Sequence, residues 1–436
     1  MIMDNSEEFV ECLLEIWNKG MCAVLLDKKV PVESLIELLE LCNVSKCYVD
    51  SKKLYDQIKQ YFDVVLIYVS RDNFVNVSTR VFDKFIEKYD NSEAIILFSS
   101  GTTGKRKGII LSHYAIQNNA DSIIEYMNIK KTDRLLILKS LVHSSTLVGE
   151  LLVGLKCRCQ LFIVKKIWNF SHILSKMHKE MVNFVCINPS ILLLMNKQEY
   201  VDNNFFENLE KIYISGSVLN KEIIRSFKQK VLNVIVFNVY GLTEMGPRVT
   251  AQRDENPITS VGHPIKGVSV KIVNSKGEET REFEKGIIQV KSNSSYLGYV
   301  NGEERKRYYK DYFNTGDIGW KDDNDNYFIV GRSDDMIITA SYNVYPDEVE
   351  EIIMSIEGII DCLVFGVPND IYGELIICYY KASLDCNEML ISCCKNKLPL
   401  YEIPKEFIKV SEIPVNANGK KDRKLAREYY YKYYYN

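Results

Sequence analysis

Apolar residues recur along this chain in two rhythms. In residues 6–17 and 32–42 they return at helical spacing, the mark of an amphipathic helix with one buried face. A third helix is predicted from Ser112, a good N-cap, to about residue 127. Short, nearly continuous apolar runs read instead as buried strands: residues 22–26, 94–98, 134–138, 160–164, 184–187, 211–215 and 234–237. From residue 134 on, segments of ~15 to 25 residues separate these runs, enough for crossover helices over a mostly parallel sheet. After Gly267 the texture turns to hairpins, with strands predicted at 268–273, 286–290 and 326–330. Beyond Arg332 it becomes α+β, and Pro346 opens a helix at a position where proline is tolerated. The pattern predicts a multi-domain α/β fold. A large N-terminal α/β domain spans 1–333, with a β-rich subdomain at about 262–332, and a small α+β domain spans 334–436.

Composition narrows the class without changing that picture. The 436 residues suffice for two or three domains, and 46% hydrophobic with 26% charged residues is ordinary for a globular protein. The formal charge is −3, from 55 basic and 58 acidic residues, so nothing global favours nucleic acid. No apolar run reaches the ~18 residues a membrane span needs. The first 17 residues are acidic and amphipathic, unlike a signal peptide. Twelve cysteines lack metal spacing and read as reduced thiols, which predicts a cytoplasmic protein. The Tyr-rich tail at 429–436 is expected to fray.

Candidate chemistry gathers at strand ends. After the run at 94–98 come Ser99, Ser100, Gly101, Thr102, Thr103 and Gly104, then Lys105, Arg106 and Lys107. Glycines let backbone N–H groups turn inward, hydroxyls donate hydrogen bonds, and lysine supplies charge, a set suited to a polyphosphate. This is not the Gly-x-x-x-x-Gly-Lys-Ser/Thr loop, since Arg106 stands five residues after Gly101. The plainer alternative is a Ser/Thr/Gly-rich turn with a solvated basic end. Residues 237–246, FNVYGLTEMG, offer a ring to stack (Tyr240), an amide to bond a base (Asn238) and a carboxylate for a metal (Glu244). They also fit a Tyr-Gly turn after a core strand. Ser215, Gly216 and Ser217 end another strand, where open α/β sheets bind ligands. Further on, Asp317 closes a Thr-Gly-Asp turn, Arg332 and Asp334 lie in GRSDD, and Lys420 follows Gly419 in a loop, or in a solvated basic tail. The histidines are scattered and form no metal set.

In this order the segments resemble the adenylate-forming (AMP-binding) superfamily of acyl-CoA synthetases, stand-alone adenylation enzymes and luciferase-like ligases. SSGTTGKRKG is similar to its phosphate loop, YGLTE to its Tyr-Gly-x-Thr-Glu segment, SGS to its Ser-Gly-Gly segment and GKKDR to its Gly-Lys-x-x-Arg signature. The likeness covers about residues 20–425 and implies a large N-terminal domain with a shortened N-terminus, since such enzymes usually have more chain ahead of the phosphate loop. It implies ATP phosphates held at Ser99–Gly104, with Lys107 as a catalytic cation. Ser215, Gly216 and Ser217 would lie beside an adenine stacked on Tyr240-Gly241, with Asn238 bonding its exocyclic amine. Thr243 would touch the α-phosphate, Glu244 hold Mg²⁺, Asp317 accept both ribose hydroxyls, and Arg332 approach ribose and phosphate. Asp334 would be the hinge of a mobile C-terminal domain, and Lys420 would bridge the attacking carboxylate and the α-phosphate. His143, Ser144 and Met245 would line the acid.

The implied reaction is ATP-dependent activation of a small carboxylic acid as acyl-AMP, with pyrophosphate released and the acyl group passed to coenzyme A. A carrier protein's phosphopantetheine is the alternative acceptor, and a catalytically silent nucleotide-binding module the third reading. Amino-acid-activating relatives carry Asp where this chain has Ser144. A buried ammonium without a counter-charge is costly, so a fatty or aromatic acid is expected and not an α-amino acid. Other departures are Arg106 for the usual proline, Ile287 for a common glutamate, and Ser341 for a glycine lining the pantetheine tunnel. The last weighs on thioester formation more than on adenylation.

Overall fold

A computed structural model describes the chain apart from residues 100–106, 168, 198–203, 216–220, 232–233, 254–255, 303–307, 310, 340–341, 370, 417–419 and 435–436. The expectations placed on Ser100, Gly101, Thr102, Thr103, Gly104, Gly216, Ser217 and Ser341 therefore lie outside the described residues, as does the side chain of Ser99. By compactness the chain divides into two units. One holds Met1–Lys271, Gln289–Thr315 and Asp325–Tyr327; the other holds Ile272–Ile288, Gly316–Asn324 and Phe328–Asn436.

The first unit is built on an eight-stranded sheet. Its order is His263–Pro264, Arg248–Ala251, Ile235–Gly241, Lys211–Ile214, Phe184–Ile187, Arg134–Ile137, Gln160–Val164 and Phe74–Asn76. The central strands run parallel. They are nearly continuous apolar runs because helices cover both faces of a parallel sheet. Phe184–Ile187 is buried at every position. At both edges the sheet turns antiparallel, where hairpin-like returns need no crossover helix. One face packs Leu136, Val185, Ile212 and Val236 against the apolar stripe of the helix Phe170–Lys179.

A second sheet aligns Ala23–Leu25, Glu93–Ser99, Lys107–Ser112 and Gly298–Tyr299. Its middle pair is antiparallel, with Phe98 opposite Gly108. Ser112 caps the helix His113–Met127 as expected, its hydroxyl accepting from the Ala115 N–H at 3.0 Å. The strand Lys107–Ser112 ahead of that cap was not read from the sequence. Its first residue, Lys107, reads as the basic end of a loop, and pairing with Glu93–Ser99 places it in the strand. Between strands Arg134–Ile137 and Gln160–Val164 the chain forms a short helix, Ser144–Thr146, and then a π-helix, Leu147–Leu152, buried throughout.

In the second unit the sheet Tyr342–Val344, Ile337–Thr339, Gly373–Ala382 and Ile359–Asn369 carries Glu406–Lys409 on Gly373–Ala382. Pro346 opens the helix Pro346–Met354 at its first turn, as expected. The tail departs from expectation. Residues Arg423–Tyr433 form a helix whose Tyr430 is buried beside Phe365 and donates to Glu406 at 2.9 Å. Tyrosines at helical spacing bury an apolar face that the bare run of like residues concealed.

Candidate active site

The first unit gathers the candidate nucleotide residues around the strand Ile235–Gly241. Asn238 is buried; its amide nitrogen donates to the Ser260 carbonyl at 3.0 Å and its N–H to Gln252 Oε1 at 3.0 Å. The first of those bonds holds the carboxamide, and the second anchors the backbone. Tyr240 is half-buried and pairs in register with Thr250. Gly241 has no alternative: a Cβ there would meet the Pro247 carbonyl oxygen at 2.0 Å. The chain then makes one 3-10 turn, Thr243–Met245, and returns as Arg248–Ala251. Buried Asn119, from the helix His113–Met127, secures that return. Its side chain donates to the carbonyls of Met245 (3.3 Å) and Arg248 (3.0 Å) and accepts from the Arg248 N–H (2.9 Å).

Within the turn each predicted side chain has a partner. Thr243 Oγ1 lies 3.0 Å from Ser144 Oγ, joining the candidate phosphate contact to the candidate acid wall. Glu244 is half-buried, and its Oε1 accepts from the Tyr299 hydroxyl at 2.8 Å. The ammonium of Lys107 stands 5.5 Å from the centre of the same Tyr299 ring. Tyr299 thus ties the described end of the candidate phosphate loop to the candidate metal ligand. A carboxylate with one oxygen engaged suits magnesium, which takes one or two carboxylates and fills its shell with phosphate oxygens and water. Tyr299 was missed from sequence; its only signal was the Tyr296-Leu-Gly-Tyr segment in a β-rich region.

His143 ends the approach to the short helix, its carbonyl accepting from the N–H groups of Thr146 and Leu147. Met245 is fully buried, with its sulfur 3.7 Å from the Ser295 hydroxyl. Ser215 accepts from Lys139 at 3.2 Å.

The second unit brings together Asp317, Arg332 and Lys420. Arg332 Nη1 donates to Asp317 Oδ1 at 2.9 Å, and Nη2 lies 3.6 Å from Asp334, which is exposed in the turn Ser333–Asp335. Lys420 closes a narrow turn: its N–H donates to Asn416 Oδ1 at 3.1 Å, and its carbonyl accepts from the Asn416 N–H at 2.7 Å. The side chain is exposed by surface area, yet the surrounding protein desolvates its ammonium enough to lower the pKa. Asp317 opposes that lowering and Arg332 adds to it. The following residues anchor the turn. Lys421 pairs with Glu350 and Asp361, each at 3.0 Å, and Arg423 with Glu350 at 2.7 Å and with Asp347. Burial pushes the Asp347 carboxyl up to about 6, against the pull of Arg423.

The fold is that of an adenylate-forming enzyme, and the chain belongs to that family. Residues 1–300 match the family described as AMP-binding enzyme, and 348–420 match the AMP-binding enzyme C-terminal domain. The chain is 27% identical over 362 residues to the long-chain-fatty-acid–CoA ligase FadD13 of Mycobacterium tuberculosis, covering 79% of this chain and 69% of that one. It is 26% identical over 427 residues to the 2-succinylbenzoate–CoA ligase of Enterococcus faecalis, covering 95% and 85%. Among solved structures, the o-succinylbenzoate CoA synthetase of Bacillus subtilis with its acyl-adenylate superposes with TM-score 0.84 at 22% identity, over 98% of this chain and 87% of that one. The same protein with ATP and magnesium gives 0.83 at 23%, over 97% and 87%.

Proposed function

We propose that this protein is an AMP-forming acid–thiol ligase. The acid's carboxylate attacks the α-phosphorus of ATP, the bond to pyrophosphate breaks, and the resulting acyl-AMP yields its acyl group to the thiol of coenzyme A. Family membership supports the reaction class. The observation that carries it is the linked set of Thr243 on Ser144 and Glu244 on Tyr299 beneath Lys107. Magnesium at Glu244 would offset charge on the phosphates. Thr243 would place the α-phosphate, Asp317 and Arg332 would hold the ribose, and Lys420 would orient the two anions that react. A lysine whose pKa is lowered by crowding gains more from a nearby anion than a fully hydrated one, which suits that role.

Ser144 argues for an aliphatic or aromatic acid over an α-amino acid: it is buried with its hydroxyl on Thr243 and brings no counter-charge. Coenzyme A is favoured over a carrier protein because the compared relatives are named CoA ligases. All twelve cysteines are free thiols, which fits a reducing, cytoplasmic setting. No helix among the described residues is long and apolar enough to cross a membrane. Acid-dependent ATP–pyrophosphate exchange over fatty, aromatic and amino acids tests the reading. Exchange with a non-amino acid, followed by CoA thioester formation, is expected. Exchange with α-amino acids alone would overturn the assignment of substrate, and exchange with none would overturn the reaction.

A further inference from the structure

Behind Ser144 and Thr243, the first unit buries an unusual group of charges. Arg248, four residues past Glu244, is 2% exposed, and Glu150 of the π-helix is fully buried. Lys139 reaches Glu150 Oε1 at 3.0 Å, without the alignment of a hydrogen bond, and also donates to Ser215. The Arg248 guanidinium lies 4.5 Å from the centre of the Tyr213 ring, whose hydroxyl donates to the Ser145 carbonyl at 3.1 Å. Gly149 makes room for both: a Cβ there would stand 2.6 Å from the Tyr213 oxygen and 3.3 Å from Arg248 Nη2. The cluster therefore backs onto the segment 143–149, which begins with His143 and Ser144, two of the residues expected to line the acid.

Two features mark it as incomplete. Arg248 Nε and Nη2 make no well-aligned hydrogen bond among the described residues, although the Tyr126 and Tyr213 hydroxyls lie beside the guanidinium, and both Glu150 oxygens lack one as well; buried guanidinium nitrogens are normally satisfied. The charges do not balance either. Lys139 and Arg248 face a single carboxylate, Glu150, and burial pushes that carboxyl up to about 7, so near neutrality it carries only part of a negative charge. The other ionisable neighbours of Arg248 are Tyr126, Tyr213 and Cys186, all held neutral by burial. A buried cation in excess, with donors to spare, lacks an anion.

We infer that the acid substrate carries a second anionic group, a carboxylate remote from the one activated, and that Arg248 is the specificity residue that receives it. This rests on the acid-ligase reading and deepens it: the substrate is a dicarboxylic acid, aliphatic or aromatic, and not a plain fatty acid. Guanidinium against carboxylate is a charge-assisted, two-pronged match that no apolar acid offers.

The test pairs acids of equal carbon number: hexanoate with hexanedioate, octanoate with octanedioate, and 2-ethylbenzoate with 2-(carboxymethyl)benzoate. They are compared in pyrophosphate exchange on the full chain, its Arg248→Met variant and its Arg248→Lys variant. The wild type should prefer at least one dicarboxylate by about tenfold or more in kcat/KM, the scale of a hydrogen bond to a charged group. Arg248→Met should abolish or reverse the preference, and Arg248→Lys should keep part of it. A wild-type preference for the monocarboxylates, or an unchanged ratio in Arg248→Met, overturns the inference while leaving the ligase reading intact. If no acid supports exchange, the ligase reading fails, and melting of wild type and Arg248→Met with millimolar hexanedioate decides the anion site alone. Stabilisation that depends on Arg248 upholds it, and none refutes it.

Discussion

Replacing Glu150 by glutamine reads the buried charge group through stability. The carboxyl is fully buried, with Lys139, Arg248 and Thr146 around it. Desolvation raises its pKa from the ordinary 4.5 to about 7, outweighing the opposite pull of Lys139 and Arg248. A raised folded pKa means that the native chain holds a proton which the unfolded chain has released. The resulting stability is complete below the unfolded pKa and is lost as pH rises from about 4.5 to about 7. At ~1.4 kcal/mol for each pH unit, the loss across that window is about 3 kcal/mol. Glutamine keeps the shape and cannot ionise. Relative to wild type, Glu150→Gln should therefore gain about 3 kcal/mol between pH 4.5 and pH 8. Equilibrium urea unfolding followed by tryptophan fluorescence, run on both proteins across that range, measures the difference directly. A gap between them that does not change with pH would refute the assignment of a raised pKa to this carboxyl.

Other substitutions probe the clusters separately. Lys420→Ala should lower acid-dependent pyrophosphate exchange by about a hundredfold or more, the scale of losing a charge that acts in the transition state, while equilibrium ATP binding stays largely intact; unchanged exchange would remove Lys420 from the mechanism. Tyr299→Phe deletes the donor to Glu244 and should cost about 1 kcal/mol, seen as a severalfold higher magnesium requirement in the same assay. Arg423→Met strands Glu350 and Asp347 in a largely buried setting and should destabilise the second unit by about 3 kcal/mol, measurable as faster limited proteolysis after residue 333.

The motifs proposed to carry the chemistry are legible because they are local. A phosphate loop, a Tyr-Gly-x-Thr-Glu turn and a Gly-Lys turn are short because backbone amides and side chains must converge on one ligand from neighbouring positions. Their residue types therefore survive as readable strings. Strands such as Gln160–Val164 and Phe184–Ile187 were legible for a related reason: burial on both faces of a parallel sheet demands an unbroken apolar run. The Tyr-rich tail was misread, because identical residues on a helix hide which of them faces the core.

What the string of residues determined by itself was the family and the parallel core, and it named the side chains that are candidates for the chemistry. Tertiary structure alone decided their partners. Tyr299 reaches Glu244 across 55 positions, Asn119 holds Arg248 across 129, Ser144 meets Thr243 across 99 and Arg423 grips Glu350 across 73. Strand order and helix packing set these pairings, and each partner is an ordinary Tyr, Asn, Ser or Glu with no sequence neighbour to mark it. The same holds for Arg248, which reads as one more basic residue in a strand. Only when the sheet and the π-helix close around it does its charge stand buried and unanswered.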